Sequence, residues 1–557
     1  MQILRRFRHH LAVPSGFLLL ALLLYGRHVI AHPGRSLIGT GVDPQIFVWS
    51  LAWWPYAVLH GLNPIVSHVV WAPVGVNLAW TTSVAGIALP LSPVTLLFGP
   101  VVAYNVAAIA LPALAATTGY LLCRRITRHT VGSLLGGAFF GFSPYMAGHE
   151  EGHLHMSSVF LLPLLAILVL DRLNGKGTPQ SFAVRFGLLI AWQLLLSTEV
   201  VLTASLALTV VLALTYASVS ERRAAVRSLT IPLAGAYALA GLVTAPFAWY
   251  ALRHFETASI NRPADFPADL LNLVVPTRLA WLTNGWTITK SDQFLGNLSE
   301  NGAYVGLPAL LIVVVYLSAR RRTPAGRVLA VSLALAVIAE LGTRLHVGGQ
   351  AGFVLPWRLV ADVPGLSNVL PVRLALFTAL GVAVVIASFV ASGPGTAMLR
   401  AGAAAVALIV ILPAPNSSAW HGTIDRPRFF TGSLITHCLS RDEIVLALPY
   451  PNQTSMMVWQ AEAKFRFRLA NGNLRPDPPA AIPNHDVVVR LDSGGDVTGI
   501  TTADILRVAH SQGVSTILVD DNHAEPWHTL LAGNVPAQHV GGVTLYRLAS
   551  PPAGCHS

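Results

Sequence analysis

The chain has 557 residues, 54% of them hydrophobic and only 11% charged, and its mean hydropathy is +0.60. That composition lies well outside the range of a soluble protein and identifies a polytopic α-helical membrane protein. The formal charge of +11 comes from basic residues in short segments between apolar runs, so it is read as membrane orientation rather than as a nucleic-acid site.

The first ten residues, MQILRRFRHH, lead into an apolar run from Leu11 to Ile30. No clear small-x-small cleavage site follows it, and it is read as a retained first span. Stretches long enough to cross a bilayer fall at 11–30, 101–123, 130–147, 156–171, 182–198, 200–219, 229–251, 303–319, 327–342, 372–391 and 399–414, about eleven in all. Placing Arg5, Arg6 and Arg8 in the cytoplasm sets the side of every later loop. The turns that fall on the cytoplasmic side, CRRITRH (123–129), DRLNGKG (171–177), SERRAAVR (220–227), ARRRTPAGR (319–327) and the segment ending at Arg400, are all short and basic, as the positive-inside rule requires. The loops assigned outside are 31–100, the histidine-rich 142–156, 252–302 and 343–371. Within the first of them, ALPLSPVTLLFGP (88–100) is apolar but too short and too proline-punctuated to span, and is expected to lie as a helix in the outer interface.

After ILPAPNSSAW (411–420) the composition becomes that of a soluble domain. The chain is therefore divided into a membrane domain, 1–415, and a small extracytoplasmic α/β domain, 416–557. EIVLALPY (443–450), DVVVRL (486–491), STILVDD (515–521) and GVTLYRL (542–548) read as strands by their β-branched content. TTADILRVAHSQG (501–513) reads as a helix capped by Thr and closed by Gly. The three cysteines, Cys123, Cys438 and Cys555, have no CxxC spacing and make neither a thiolate zinc site nor a disulfide framework. Cys438 and Cys555 can pair if their compartment is oxidising.

Asp43, in GTGVDPQIFVWSLAWWPYAVLHGLNP (39–64), is the sole acidic residue before His149. A lone carboxylate beside an aromatic, interface-hugging helix is costly unless used or paired. With Pro44 behind it, Asp43 reads equally well as a helix N-cap. His149-Glu150-Glu151-Gly152-His153 matches the H-E-x-x-H zinc-protease signature, which needs both histidines on one helical face and a third ligand. No convincing third ligand is found: His155, two residues after His153, points away from an i,i+4 pair. The Ser-Pro and Gly context puts the motif in a loop or at a helix start, and no metal site is assigned. Glu199, in LLLSTEVVLT, is an acid between two apolar runs, either functional or at a water-facing hairpin turn. Asp265 and Asp269 either shape an acceptor groove or are simply solvated.

LSPVTLLFGPVVAYN (91–105), ENGAYVGLP (300–308), LPWRLVADVPGLSNVLPVRLALF (355–377) and LPYPNQTSMMVWQAEAKFRFRLANG (448–472), with an acidic residue just after the first span, resemble the GT-C superfamily of integral-membrane glycosyltransferases, in a bacterial branch ending in an extracytoplasmic domain. The resemblance covers nearly the whole chain. It implies a GT-C-like fold in the bacterial inner membrane, N-terminus cytoplasmic, and transfer of a sugar from a polyprenyl-phosphate donor to a cell-envelope glycan or glycolipid acceptor with inversion. It also implies that Asp43 is the general base, accepting the proton of the attacking hydroxyl. The leaving phosphate needs cations, for which Arg358, Arg373 and, more weakly, Lys290 are candidates; Arg373 equally suits snorkelling to headgroups. His149 and His153 are placed to contact phosphate or sugar, or to hold their loop. Other members of the superfamily use a divalent metal, so a non-protease metal role stays open. The alternative from another class is a flippase for lipid-linked glycans, which more often shows internal repeats; none is seen. A membrane zinc protease is the third reading.

Overall fold

A computed structural model describes residues 2–253, 262–450, 453–474, 477–492, 498–550 and 555, with side chains from residue 11 onward. Each apolar stretch contains a helix: Gln2–Tyr25, Pro100–Thr127, Thr130–Gly141, Leu161–Leu173, Pro179–Leu196, Thr198–Ser218, Thr230–Val243, Leu307–Arg320, Pro324–Glu340, Ala375–Ser392 and Ala397–Ile411. Among the described residues, six helical stretches are long and apolar enough to cross a bilayer, Pro100–Thr127, Leu154–Leu173, Pro179–Leu196, Thr198–Ser218, Ser220–Val243 and Pro371–Ser392, and three shorter apolar helices join them. The protein is a multi-pass membrane protein.

Local chemistry sets where these helices start. Thr178, Thr323 and Thr396 each accept an amide of the first turn, and Pro179 and Pro324 stand just inside their helices, where a missing N–H costs nothing. The expected span 130–147 is interrupted for the same reason. Thr130–Gly141 ends, Ser143 accepts from Met146 N, and Pro144 opens the separate helix Pro144–His149. Gly132 and Gly136 let Thr130–Gly141 lie directly on Ala375–Ser392: a Cβ at either would sit 2.6 Å from the carbonyl oxygens of Ala387 and Ala383. Small residues permit such close backbone approach inside a bilayer.

The chain divides into two compact units, residues 1–31, 106–245 and 256–421 in one, and 32–105, 246–255 and 422–557 in the other. The second unit contains a five-stranded sheet of β1 (Ile444–Leu448), β2 (Arg468–Leu469), β3 (Thr516–Asp520), β4 (Ala537–Val540) and β5 (Val543–Arg547). Its order is β4-β5-β3-β1-β2, with β1 parallel to β2 and β3 and β5 antiparallel to β3 and β4. Three of the four expected strands are therefore present. DVVVRL is instead part of the helix His485–Asp492, because Val487, Val488 and Leu491 share one helical face and are buried while Val489 is exposed; that i, i+1, i+4 pattern overrides the β preference of valine. The helix Thr502–Ser511 carries the expected Thr501 cap, in a capping box with Asp504.

The first outer loop belongs to this second unit. Its helix Asp43–Leu59 packs on Met456–Glu462, where Trp49 Nε1 donates to Gln460 Oε1 at 2.8 Å and Gln460 Nε2 donates to the carbonyls of Val69 and Phe467. Phe465 meets Trp49 and Trp53 edge-on, centroids 5.5 Å apart. Ser92–Phe98 is a seven-residue helix with Leu96, Leu97 and Phe98 exposed, too short to span.

Asp269 is neither solvated nor open to a groove. It is buried and accepts from the amides of Leu271, Gly348 and Gly349 at 2.8–2.9 Å, clamping the Gly-Gly turn of the hairpin Arg344–Val347/Gln350–Val354. Removing it orphans three amides, so Asp269→Ala should lower unfolding stability by about 3 kcal/mol, read by thermal unfolding in detergent. Cys438 and Cys555 are joined by a disulfide, and Cys123 is a buried free thiol. Alkylation of the denatured protein should therefore modify Cys123 alone without reductant and all three cysteines with it; labelling of all three without reductant would place the C-terminal unit in a reducing compartment.

Candidate functional site

Within the first compact unit, residues remote in sequence meet in one buried cluster. The helix Pro144–His149 ends at His149, and a turn follows in which His153 N donates to His149 O at 2.7 Å. That turn brings the Nδ1 atoms of His149 and His153 to 3.4 Å. Glu300 arrives from the segment before Leu307–Arg320, its amide bonded to Asn297 Oδ1. Two glycines make this approach possible. A Cβ on Gly148 would sit 2.3 Å from Ser299 O, and one on Gly302 would sit 2.8 Å from Tyr145 Cα. Glu300 Oε1 then lies 4.0 Å from His153 Nδ1.

Arg373 joins these elements. It sits in the short 3-10 turn Pro371–Leu374, immediately before the helix Ala375–Ser392. Its Nε and Nη2 donate to Glu300, Nε to Oε2 at 3.0 Å, and its Nη1 donates to Glu199 Oε2 at 2.5 Å. The side chains of Arg373, Glu300 and Glu199 are only 10%, 3% and 19% exposed. Arg373 is thus a doubly paired buried cation rather than one snorkelling to headgroups. Glu199, in the first turn of Thr198–Ser218, is held by Arg373 and is not a water-facing turn residue.

The protonation states follow from this packing. Burial pushes the Glu300 carboxyl up, but the charge and hydrogen bonds of Arg373, aided by His149 and His153, outweigh it and hold Glu300 at about 2. Burial lowers His149 to about 3, against the attraction of Glu300. At neutral pH the cluster therefore presents an ionised carboxylate and a neutral imidazole. Burial pushes Glu150 up to about 8, only partly countered by Ser157, and neither of its oxygens accepts a hydrogen bond of normal geometry. A buried protonated acid is no general base, and the histidines straddle a helix end rather than share one helix. The zinc-protease reading fails on both counts.

Asp43 belongs to the other compact unit. It is the first residue of Asp43–Leu59, half-buried; the N-cap position is held by Val42, with no side-chain cap bond. The N-cap role read from the sequence is thus displaced by one residue, and Asp43 instead stands in the first turn, where a carboxylate favours the helix dipole. Arg358 is 59% exposed and pairs with Asp362 on its own surface segment at 3.1 Å. Lys290 lies in the last turn of the short helix Gly285–Ser291. Neither is among the side chains that meet at the cluster. His155 is half-buried with its ring edge-on to His153. Glu300 was not among the residues singled out in the sequence. The available signal was the one that marked Glu199, an acid placed directly before an apolar span.

A cleft of about 600 Å³ with mostly apolar walls runs along Thr198–Ser218, from Thr203 to Thr215, roughly 18 Å of helix. Its lining includes Leu374, next to Arg373, and Trp357. Thr203 donates to Glu199 O at 2.9 Å. Leu374 and Thr203 thus link the cleft lining, along the chain, to Arg373 and Glu199.

A family model described as "Domain of unknown function (DUF6311)" matches residues 15–363, well over half of the chain. The chain belongs to this family. No curated protein matches the sequence. Among solved structures, the DUF6311 chain is similar to the arabinofuranosyltransferase AftD from Mycobacteria, with a TM-score of 0.57 and 16% identity, over 99% of this chain and 40% of that one. It is also similar to the archaeal oligosaccharyltransferase AglB from Archaeoglobus fulgidus, solved in complex with an inhibitory peptide and a dolichol-phosphate, with a TM-score of 0.53 and 13% identity, over 94% of this chain and 70% of that one. The apo form of the Archaeoglobus fulgidus enzyme gives a TM-score of 0.54. Both are GT-C membrane glycosyltransferases, and this chain has the GT-C fold. It spans about 40% of the length of AftD.

Breaking a buried ion pair strands its partner, at a cost of about 3–5 kcal/mol. Arg373→Met should therefore lower the melting temperature sharply, and adding Glu300→Gln should recover part of the loss. An unchanged melting temperature in Arg373→Met would show that the triad is not formed.

Proposed function

We propose that the protein is a membrane glycosyltransferase that moves a sugar from a polyprenyl-phosphate donor to an extracytoplasmic acceptor, a cell-envelope glycan or glycolipid. The observation that carries this reading is the apolar cleft along Thr198–Ser218, lined by Leu374 and Thr203 among others, in the same compact unit as the Arg373, Glu199 and Glu300 cluster. A lipid-linked sugar phosphate needs both parts, a hydrocarbon trough and a polar head site with cations and hydrogen-bond donors. The GT-C fold and the dolichol-phosphate bound to AglB support the same donor class.

In this reading the acceptor hydroxyl attacks the anomeric carbon as polyprenyl phosphate leaves, giving inversion. Asp43 accepts the hydroxyl proton, a role supported by its position as the first acid of the chain, half-buried at a helix start. His149, His153 and Arg373 handle the phosphate end, with Glu199 holding Arg373 in place. Arg358 and Lys290 act as outlying cations for the donor or acceptor. The disulfide between Cys438 and Cys555 supports an extracytoplasmic C-terminal unit, since such bonds persist in oxidising compartments.

The test is transfer from radiolabelled polyprenyl-phosphate sugars to membrane acceptors by the purified protein. General-base catalysis contributes about 10²–10⁴-fold, so Asp43→Asn should lose at least about a hundredfold in rate while the protein remains folded. Full activity in Asp43→Asn would remove Asp43 from the chemistry. Movement of the labelled lipid across vesicles without sugar transfer would favour the flippase reading instead.

A further inference from the structure

We propose that the membrane unit binds an anionic glycerophospholipid of the inner leaflet, with its phosphate at Arg222 and an acyl chain in the apolar cleft along Thr198–Ser218. The cleft lining includes Thr203 and Leu374 toward one end, and Ile126, Asn174, Val219 and Arg222 toward the other. Thr203 to Thr215 alone is roughly 18 Å of helix, more than the about 15 Å of hydrocarbon in one leaflet. A chain that enters beside Arg222 is therefore covered over the full depth of its leaflet.

The Arg222 end is strongly basic. Arg125 Nε donates to Asp171 Oδ1 at 2.7 Å, and Arg222 donates through Nη1 to Leu173 O at 2.7 Å and through Nη2 to Asn174 Oδ1 at 3.0 Å. These bonds join the turns 123–129, 171–177 and 220–227 into one rim, on which eight Arg and Lys stand against two acids, Asp171 and Glu221. Asp171 is already occupied by Arg125. Topology accounts for basic turns on the cytoplasmic side, but it does not account for a guanidinium that lines an apolar cleft. The bonds to Leu173 and Asn174 fix Arg222 there and use two of its five N–H groups. Arg172 Nε and Arg124 Nη1 are buried without an acceptor, and each residue stands within two positions of a lining one, Leu173 and Ile126. Buried N–H groups left unpaired are costly, and phosphate oxygens are their complement.

The ligand must join both features in one molecule. Inorganic phosphate satisfies the guanidinium and leaves the cleft bare. A zwitterionic lipid brings its own cation to a rim that already has an excess of them. A lipid with a net negative headgroup fits both, and the inner leaflet supplies it; basic pockets between spans on that side bind such headgroups.

This inference goes beyond the sugar-transfer reading and does not rest on it, because lipid binding is read with no sugar donor present. Delipidated full-length protein in detergent is titrated with phosphatidylglycerol, phosphatidylcholine or polyprenyl phosphate, and bound lipid is counted by native mass spectrometry, with inorganic phosphate as competitor. Wild type should bind phosphatidylglycerol at least about tenfold more tightly than phosphatidylcholine, and Arg222→Gln should lose that preference, the size expected of one charge-assisted hydrogen bond. Val211 lines the cleft and is 39% exposed, so Val211→Trp adds bulk there without touching a charge or the core. It should weaken phosphatidylglycerol by a similar factor, and it carries the test if Arg222→Gln does not fold. Equal affinity of wild type for the two phospholipids would overturn the site, as would unchanged phosphatidylglycerol binding in Val211→Trp or displacement of the lipid by inorganic phosphate. Tighter, Arg222-dependent binding of polyprenyl phosphate would give the cleft end to that lipid and overturn the proposal as well.

Discussion

One buried guanidinium holds the membrane unit's polar interior together. Arg373 stands at the entrance to the Ala375–Ser392 helix and binds Glu199 from the start of Thr198–Ser218 and Glu300 from the loop before Leu307–Arg320. Three separate helical elements are thereby tied at one point where water is largely excluded. None of these charges is stable alone in such surroundings, since an isolated buried ion costs several kcal/mol. Together they fix one another, and they fix the position of Glu300 beside His149 and His153.

Along the chain, apolar cleft-lining residues follow closely on these charges. Leu374 and Thr203, neighbours of Arg373 and Glu199 respectively, already line the apolar cleft. A molecule with a charged head and a long hydrocarbon tail is complementary to such a boundary, and a soluble nucleotide-sugar is not. In the proposed function, the lipid-linked donor is recognised by cluster and cleft together more than by any single side chain.

The second unit obeys a different logic, that of an ordinary soluble core. Gln460 is fully buried and satisfies its amide against Trp49, Val69 and Phe467. The amide of Ala72 donates to Leu469 O, and that of Leu469 to Val69 O. These bonds make the first outer loop and the C-terminal segment a single hydrophobic core, although nearly four hundred residues separate them along the chain. The loop that carries Asp43 is packed against the C-terminal segment within this unit.

The amino-acid sequence by itself determined the membrane class, the positions of the apolar helices, three of the five sheet strands and the capped Thr502–Ser511 helix. All of these follow from local composition, hydrophobic periodicity and caps, which act over a few residues. It also singled out residues of the cluster one by one, Glu199 as an acid between apolar runs, His149 and His153 by their motif, and Arg373 as a cation suited to phosphate. Only the tertiary structure decided that these residues are one site. Glu300, the residue that joins the histidines to the arginine, lies about 150 residues from the histidines and 73 from Arg373. Its approach depends on backbone clearance at Gly148 and Gly302, a steric fact with no local signature. The helix His485–Asp492 was likewise settled by burial of Val487, Val488 and Leu491, because packing outweighs the weak intrinsic preference of β-branched residues.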